Sequence, residues 1–371
     1  MQAGTDATEL EQVSDGTAWR EFCRALERTG DVILRDRSPR DPLDRAEGFR
    51  YLSRLTRLAL EKFVENADPR TPRFYRLSHE TGKIGCDNPD SFYQNAEISG
   101  ACEYRLHGKL GSVPYLGIGT YFGNYGSEAR SGCSGYLEGG DLEVAADGRV
   151  EILLSQREHP GNWLRMEPDS SMLIVRQNFL DRENERPAEL FIERIGAEGP
   201  PAPLDPVAFG RALRGAARFV AGTAGLFADW AEGFAKHPNE LRPMDPAVTA
   251  GAHGDPNIYF YMGYWELSPE EALIVEAEPP ECEYWNFQLN NHWMESLDYR
   301  YHPVHLNKHT ARMRPDGSVR LVICQGDPGV ANWIDTAGHA RGTMGLRWIK
   351  ARSHPRPRTR VVKRADLPRD S

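Results

Sequence analysis

The stretch Asp316-Gly317-Ser318-Val319-Arg320-Leu321-Val322-Ile323, followed by Pro328-Gly329 and Asn332-Trp333-Ile334, has an earlier twin. Asp147-Gly148-Arg149-Val150-Glu151-Ile152-Leu153-Leu154 precedes Pro160-Gly161-Asn162-Trp163-Leu164 in the same order. Two further matches flank this one: Tyr115–Phe122 with Tyr284–Asn291, and Met172–Arg176 with Met344–Arg347. The offset runs only from 168 residues (Pro160 to Pro328) to 172 (Met172 to Met344). Chance can supply one such match; four in order at a steady offset point to an internal duplication.

The duplicated segments are short, β-rich and bounded by Gly, Pro or Asp, the pattern of strands joined by tight turns. Strands are predicted at 103–106, 114–122, 150–154, 171–177 and 189–195. A second series is predicted at 272–277, 284–289, 309–313, 319–324 and 344–349. Gly148 and Gly317 supply the positive φ that a hairpin turn requires. Apolar residues three and four apart mark helices over 17–28 and 43–66. A third helix is predicted over 205–236, with Asp205 as N-cap and Pro206 at its first position. Gly215, Gly222 and Gly225 are expected to divide that helix.

The fold class expected is therefore mainly β with helical additions. Two related antiparallel units, sandwich-like or jelly-roll-like, arise by duplication, with helices at the N-terminus and between the units. The predicted division is a helical segment 1–70, a first β unit 71–200, a helical connector 201–257, a second β unit 258–350 and a basic flexible tail 351–371.

Of 371 residues, 40% are hydrophobic and 27% charged, enough apolar material for a sizeable core. A net charge of -9 without a basic patch gives no footprint for nucleic acid. No secretory leader and no apolar run long enough to span a bilayer are present, so no membrane partner is expected. Six scattered cysteines without a Cys-x-x-Cys pair suit a reducing, cytoplasmic setting. The expected partner is a small-molecule ligand, and self-association is left open.

The second unit resembles a known family. Tyr284–Trp293, Asp316–Arg320, Asp327-Pro328-Gly329 with Asn332-Trp333, and Arg347-Trp348 resemble the domain of unknown function numbered 1214. Asp87-Asn88-Pro89-Asp90 with Tyr93 resembles its partner domain, numbered 1254. Together the two cover roughly residues 70 to 350. The resemblance implies β-sandwich, jelly-roll-like folds and carries over no reaction and no catalytic residues.

Duplication also supplies an internal control for site candidates. Asn162 with Asn332, and Trp163 with Trp333, recur in both copies and read as turn and core residues. Asn290-Asn291-His292-Trp293 replaces Tyr121-Phe122-Gly123-Asn124, so the second copy gains amides and an imidazole. An imidazole titrates near neutral pH and serves acid–base chemistry. Asp335 stands close enough in sequence to orient His339. The catalytic candidates are His292, His339 and Asp335. The substrate-binding candidates are Asn290, Asn291, Trp285, Trp293, Arg347, Tyr93 and Asp87. Asp87, Asn88, Asp90 and Tyr93 read as turn chemistry or as groups reaching into a site between the copies. Arg347 has a counterpart in Arg176, which suggests a structural role, with anion binding as the alternative.

The leading expectation is an enzyme of lyase, hydrolase or isomerase type. It would act on a small, partly apolar molecule in a pocket of the second unit, without a nucleotide cofactor. One alternative is a non-catalytic small-molecule or carbohydrate-binding sandwich. The other is a metal-dependent lyase or oxygenase built on His302, His305 and His309, since imidazoles are common metal ligands. The principal reading requires no metal.

Overall fold

The computed structural model describes residues 2–125, 130–197 and 199–367. The chain opens with three helices, α1 (Gln2–Ser14), α2 (Thr17–Thr29) and α3 (Pro42–Leu60). The first β unit follows: β1 (Ser91–Glu97), β2 (Tyr104–Lys109), β3 (Tyr115–Phe122), β4 (Gly132–Glu138), β5 (Arg149–Ser155), β6 (Trp163–Arg165), β7 (Met172–Asn178) and β8 (Glu189–Arg194). The connector holds α4 (Pro206–Phe234), β9 (Glu240–Pro243) and α5 (Pro246–Gly251). The second unit comprises β10 (Ile258–Glu266), β11 (Glu271–Ala277), β12 (Tyr284–Leu289), β13 (His305–Asn307), β14 (Val319–Cys324), β15 (Trp333–Asp335), β16 (Arg341–Ile349) and β17 (Arg358–Lys363). None of the described helices is long and apolar enough to cross a membrane.

The duplication predicted from the offset is present in the topology. The first unit pairs its strands as β1-β7-β3-β4 and β6-β5-β2-β8, the second as β10-β16-β12-β13 and β15-β14-β11-β17. Each second-unit strand occupies the place of the strand nine earlier in the chain. Even the exceptional parallel pair, β5 with β6, recurs as β14 with β15. Each unit is a sandwich of two sheets around its own core. Ile118, Leu173 and Val175 face Leu106, Ile152 and Leu164 in the first unit. Phe287, Leu346 and Trp348 face Leu273, Leu321 and Ile323 in the second.

Residues alike in both copies serve the fold, as expected of Asn162 and Asn332. Asn162 donates to the carbonyls of Glu143 and Glu151, and Asn332 to those of Arg312 and Arg320. Trp163 donates to Ser155 O, and Trp333 to Cys324 O. These side chains satisfy loop backbone groups that no ladder reaches.

The helices lie across both units. One apolar cluster joins Leu55 and Leu58 of α3 and Phe219 and Val220 of α4 to Tyr121 and Ile174 in one unit and Met262 and Trp293 in the other. Three helices begin with Asp-Pro. Asp41, Asp205 and Asp245 accept from the backbone N–H of Asp44, Val207 and Ala247, satisfying an N–H that the first turn leaves open.

Several predicted boundaries need correction. The α4 helix runs unbroken over 29 residues. Its Gly215 lets the Phe63 ring approach to where a Cβ would lie 2.9 Å from Cδ1, so packing compensates the low helix propensity. The segment 309–313 is not a strand. The Asn307 carboxamide oxygen accepts from His309 N and Thr310 N, both at 2.9 Å, and this turn ends β13. Strands β1, β4 and β10 and helices α1 and α5 were not anticipated: β1 and β4 are polar or Gly-rich, and α5 is a single short piece. The stretch 351–371 is no free tail, because β17 pairs with β11 along six residues.

Candidate functional site

The two units meet through a reciprocal set of contacts. Just ahead of β1 the chain reads Cys86-Asp87-Asn88-Pro89-Asp90; just ahead of β10 it reads His253-Gly254-Asp255-Pro256-Asn257. Cys86 and His253 both adopt left-handed backbone, φ 61° and 55°, uncommon for residues other than glycine. Arg347 of β16 donates to the Cys86 carbonyl, and Arg176 of β7 donates to the His253 carbonyl. Tyr284 of β12 donates to Asp90 at 2.7 Å, and Tyr115 of β3 donates to Asp255 at 2.9 Å. Each unit thus reaches into the loop that leads into the other, the signature of a two-fold relation.

Between the units lies a cavity of about 120 Å³, lined by groups from both, including Arg176, Arg347, Asp87, Tyr93, Tyr125 and His253. The guanidiniums are only 8% (Arg176) and 3% (Arg347) exposed. Among the described residues neither has a carboxylate oxygen within 4.0 Å. Their printed partners are neutral: Tyr121 OH and His253 O for Arg176, and Asn286, Gln288 and Cys86 for Arg347. A buried cation without a counter-ion is costly, and two facing one cavity are a pair of unspent anion donors.

The remaining groups are tuned by burial. Burial pushes the Cys86 thiol up, so it stays protonated at neutral pH, while its sulfur accepts from Asn290 at 3.2 Å. Burial likewise raises the Asp87 carboxyl, against the opposing Lys83 charge and two hydrogen bonds from Ser296. Burial lowers His253 to about 4, so its ring is neutral. Its Nε2 lies 3.0 Å from Phe122 O; a carbonyl only accepts, so Nε2 carries the proton. Its Nδ1 has no partner among the described residues.

Of the predicted site residues, Asp87, Tyr93 and Arg347 line this cavity, and Asn290 touches it from behind through Cys86. The others lie elsewhere. His292 bonds Tyr264 at 2.9 Å and packs edge-on against Trp293, whose indole N–H donates to Asp44 O of α3. Asn291 folds back on Glu295 at 3.0 Å. Trp285 fills the second sandwich core against Trp348. Asp335 does not orient His339. It bonds His302 at 2.9 Å, whereas His339 bonds Glu47 of α3 at 2.8 Å, because α3 covers that end of the unit. His305 pairs with Asp90 and His309 approaches Asp181, so the three histidines of the metal alternative meet three separate carboxylates and do not converge. Among the described residues no group of three His, Cys, Asp or Glu side chains could hold a metal.

His339 and Glu47 are both buried, with side chains 7% and 10% exposed. Burial disfavours both charges, and the hydrogen bond between them outweighs it: His339 is raised and Glu47 lowered from their ordinary values. His339→Ala is expected to strand the Glu47 carboxylate and cost about 3 kcal/mol of stability, read by urea unfolding at pH 6. A loss below about 0.5 kcal/mol would show that the pair has no structural weight.

Reading the sequence missed Arg176, Cys86, His253 and Asp255. The signal was available: Asn88-Pro89 and Asp255-Pro256 stand at the same offset as the duplication, and Arg176 was already aligned with Arg347. Likeness between the copies had been read as purely structural. On an axis between two copies, the shared residues are the ones that meet.

Fold and site together define a duplicated two-sandwich protein with a charged cavity at the junction of its halves. No family model matches the chain. No curated protein matches it. A solved structure of an uncharacterized protein from Burkholderia cenocepacia is 52% identical, covering 96% of this chain and 100% of its own, with a TM-score of 0.95. The chain belongs to the family of that protein. The VPA0106 protein from Vibrio parahaemolyticus aligns at a TM-score of 0.49 and 12% identity, over 85% of this chain and 98% of its own.

Proposed function

We propose that the protein binds a small organic anion in the cavity between its two units. One observation carries this reading: Arg176 and Arg347, both buried, border the same cavity without a carboxylate partner among the described residues. A bound carboxylate would supply the missing counter-charge and accept charge-assisted hydrogen bonds. Arg176 is the better donor. A guanidinium carries five N–H groups, and Arg176 has two printed bonds against four for Arg347.

The test is calorimetric titration with small carboxylates and their neutral amides. Acids are expected to bind saturably and raise the melting temperature; the amides are not. Arg176→Met should weaken acid binding roughly tenfold to a hundredfold, the worth of a hydrogen bond to a charged group. Equal binding of acid and amide, or an Arg176→Met variant that binds as the wild type does, rules the reading out.

A further inference from the structure

We propose that the bound anion is a monocarboxylate with a short apolar tail, its head at the β1/β7 face and its tail between β10 and α4. The inference rests on the anion-binding reading and adds the class of ligand and its orientation.

Three observations support it. A second compartment of about 80 Å³ opens from the charged cavity and shares its Cys86, Tyr125 and Phe260 walls. Its remaining lining is largely apolar and includes Phe227, Trp230 and Met262. By that volume it has room for on the order of five water-sized groups. Phe227 and Trp230 meet edge-on at 5.5 Å, and Tyr125 and Phe227 at 5.7 Å, so aromatic rings form one wall. A Cβ on Gly85 would sit 2.3 Å from the Phe227 ring, which is how α4 comes so close.

The second observation is divergence between equivalent positions. Ser91, Tyr93 and Asn95 of β1 correspond in place to Ile258, Phe260 and Met262 of β10. Asn178 of β7 corresponds to Ile349 of β16 in the same way. Only the arginine is kept on both sides. A face that is polar in one copy and apolar in the other suits a ligand with two unlike ends.

The third observation concerns Arg347, whose donors are engaged by Asn286, Gln288 and Cys86. A dicarboxylate bridging both arginines would have to strip these acceptors and would leave its second charge near Phe260. A monocarboxylate leaves them in place.

The experiment is calorimetric titration of the full chain with acetate, butyrate, hexanoate and succinate. Each added methylene buried in the tail compartment should tighten binding roughly threefold to fourfold, until the compartment is full. Thr249→Phe, which narrows that compartment, should remove the gain from acetate to hexanoate and leave acetate binding unchanged. Trp230→Ala, which widens it, should extend the gain to longer acids. Acids that bind with no dependence on chain length, or succinate binding more tightly than butyrate, would overturn this inference while the anion site stands. If no acid binds, the anion reading itself fails.

Discussion

A chain ending at Lys350 is expected to be unfolded or insoluble at room temperature. Strand β17 closes the outer sheet of the second unit by pairing antiparallel with β11, from Glu271 with Lys363 to Glu276 with Arg358. Losing about six backbone hydrogen bonds at about 1 kcal/mol each removes an amount comparable to the whole net stability of a typical domain. Val362 and Leu367 also pack on Ala272, Val322 and Cys324, which would become exposed. The bare β11 edge would offer itself to other chains. The segment before the strand is pinned too: Tyr261 donates to His354 O at 2.8 Å, and Tyr259 stacks on the His354 ring at 3.8 Å. Comparing solubility and thermal unfolding of residues 1–350 with the full chain checks this. A truncated protein with an unchanged melting temperature would mean that β17 contributes nothing.

Acidification is expected to produce the second large effect. Burial holds both His253 and His292 near a pKa of about 4, against the ordinary 6.5. Above pH 6.5 each ring is neutral in the folded and the unfolded chain, and stability is at its full value. As pH falls from 6.5 towards 4, the unfolded chain takes up protons that the folded chain refuses, so stability drops. Each histidine loses about 3 kcal/mol by pH 4, and about 2 kcal/mol already by pH 5. Asp44 works the other way: burial, with the adjacent Asp41, raises its carboxyl to about 7. The measurement is therefore a difference, the urea-unfolding free energy at pH 7.5 minus that at pH 5, compared between wild type and the double variant His253→Gln, His292→Gln. The variant should lose about 4 kcal/mol of that difference. An unchanged difference would mean that these rings titrate normally in the folded chain.

The repeat offset sufficed for the architecture because strand order is a property of a whole unit, and a unit copied in sequence is copied in topology. It even implied β17: β8 begins at Glu189, and adding the 169 residues that separate Tyr115 from Tyr284 gives Arg358, where β17 begins. The basic composition of 351–371 concealed this, because an edge strand exposes much of its surface and needs few apolar residues. Polar β1 was hidden for a related reason. Its Ser91, Tyr93 and Asn95 face a cavity rather than a core, so the usual alternation is missing.

Periodicity, Asp-Pro helix starts and the steady offset are local or one-dimensional signals, and they determined the strands, the helices and the twofold plan. Which polar side chains converge depends on distances between residues far apart in the chain. The sequence placed Asp335 four residues from His339, yet folding paired His339 with Glu47 of α3. Arg176 and Arg347 stand 171 residues apart, and only the packing of one unit against the other turns two repeated arginines into the walls of a single cavity.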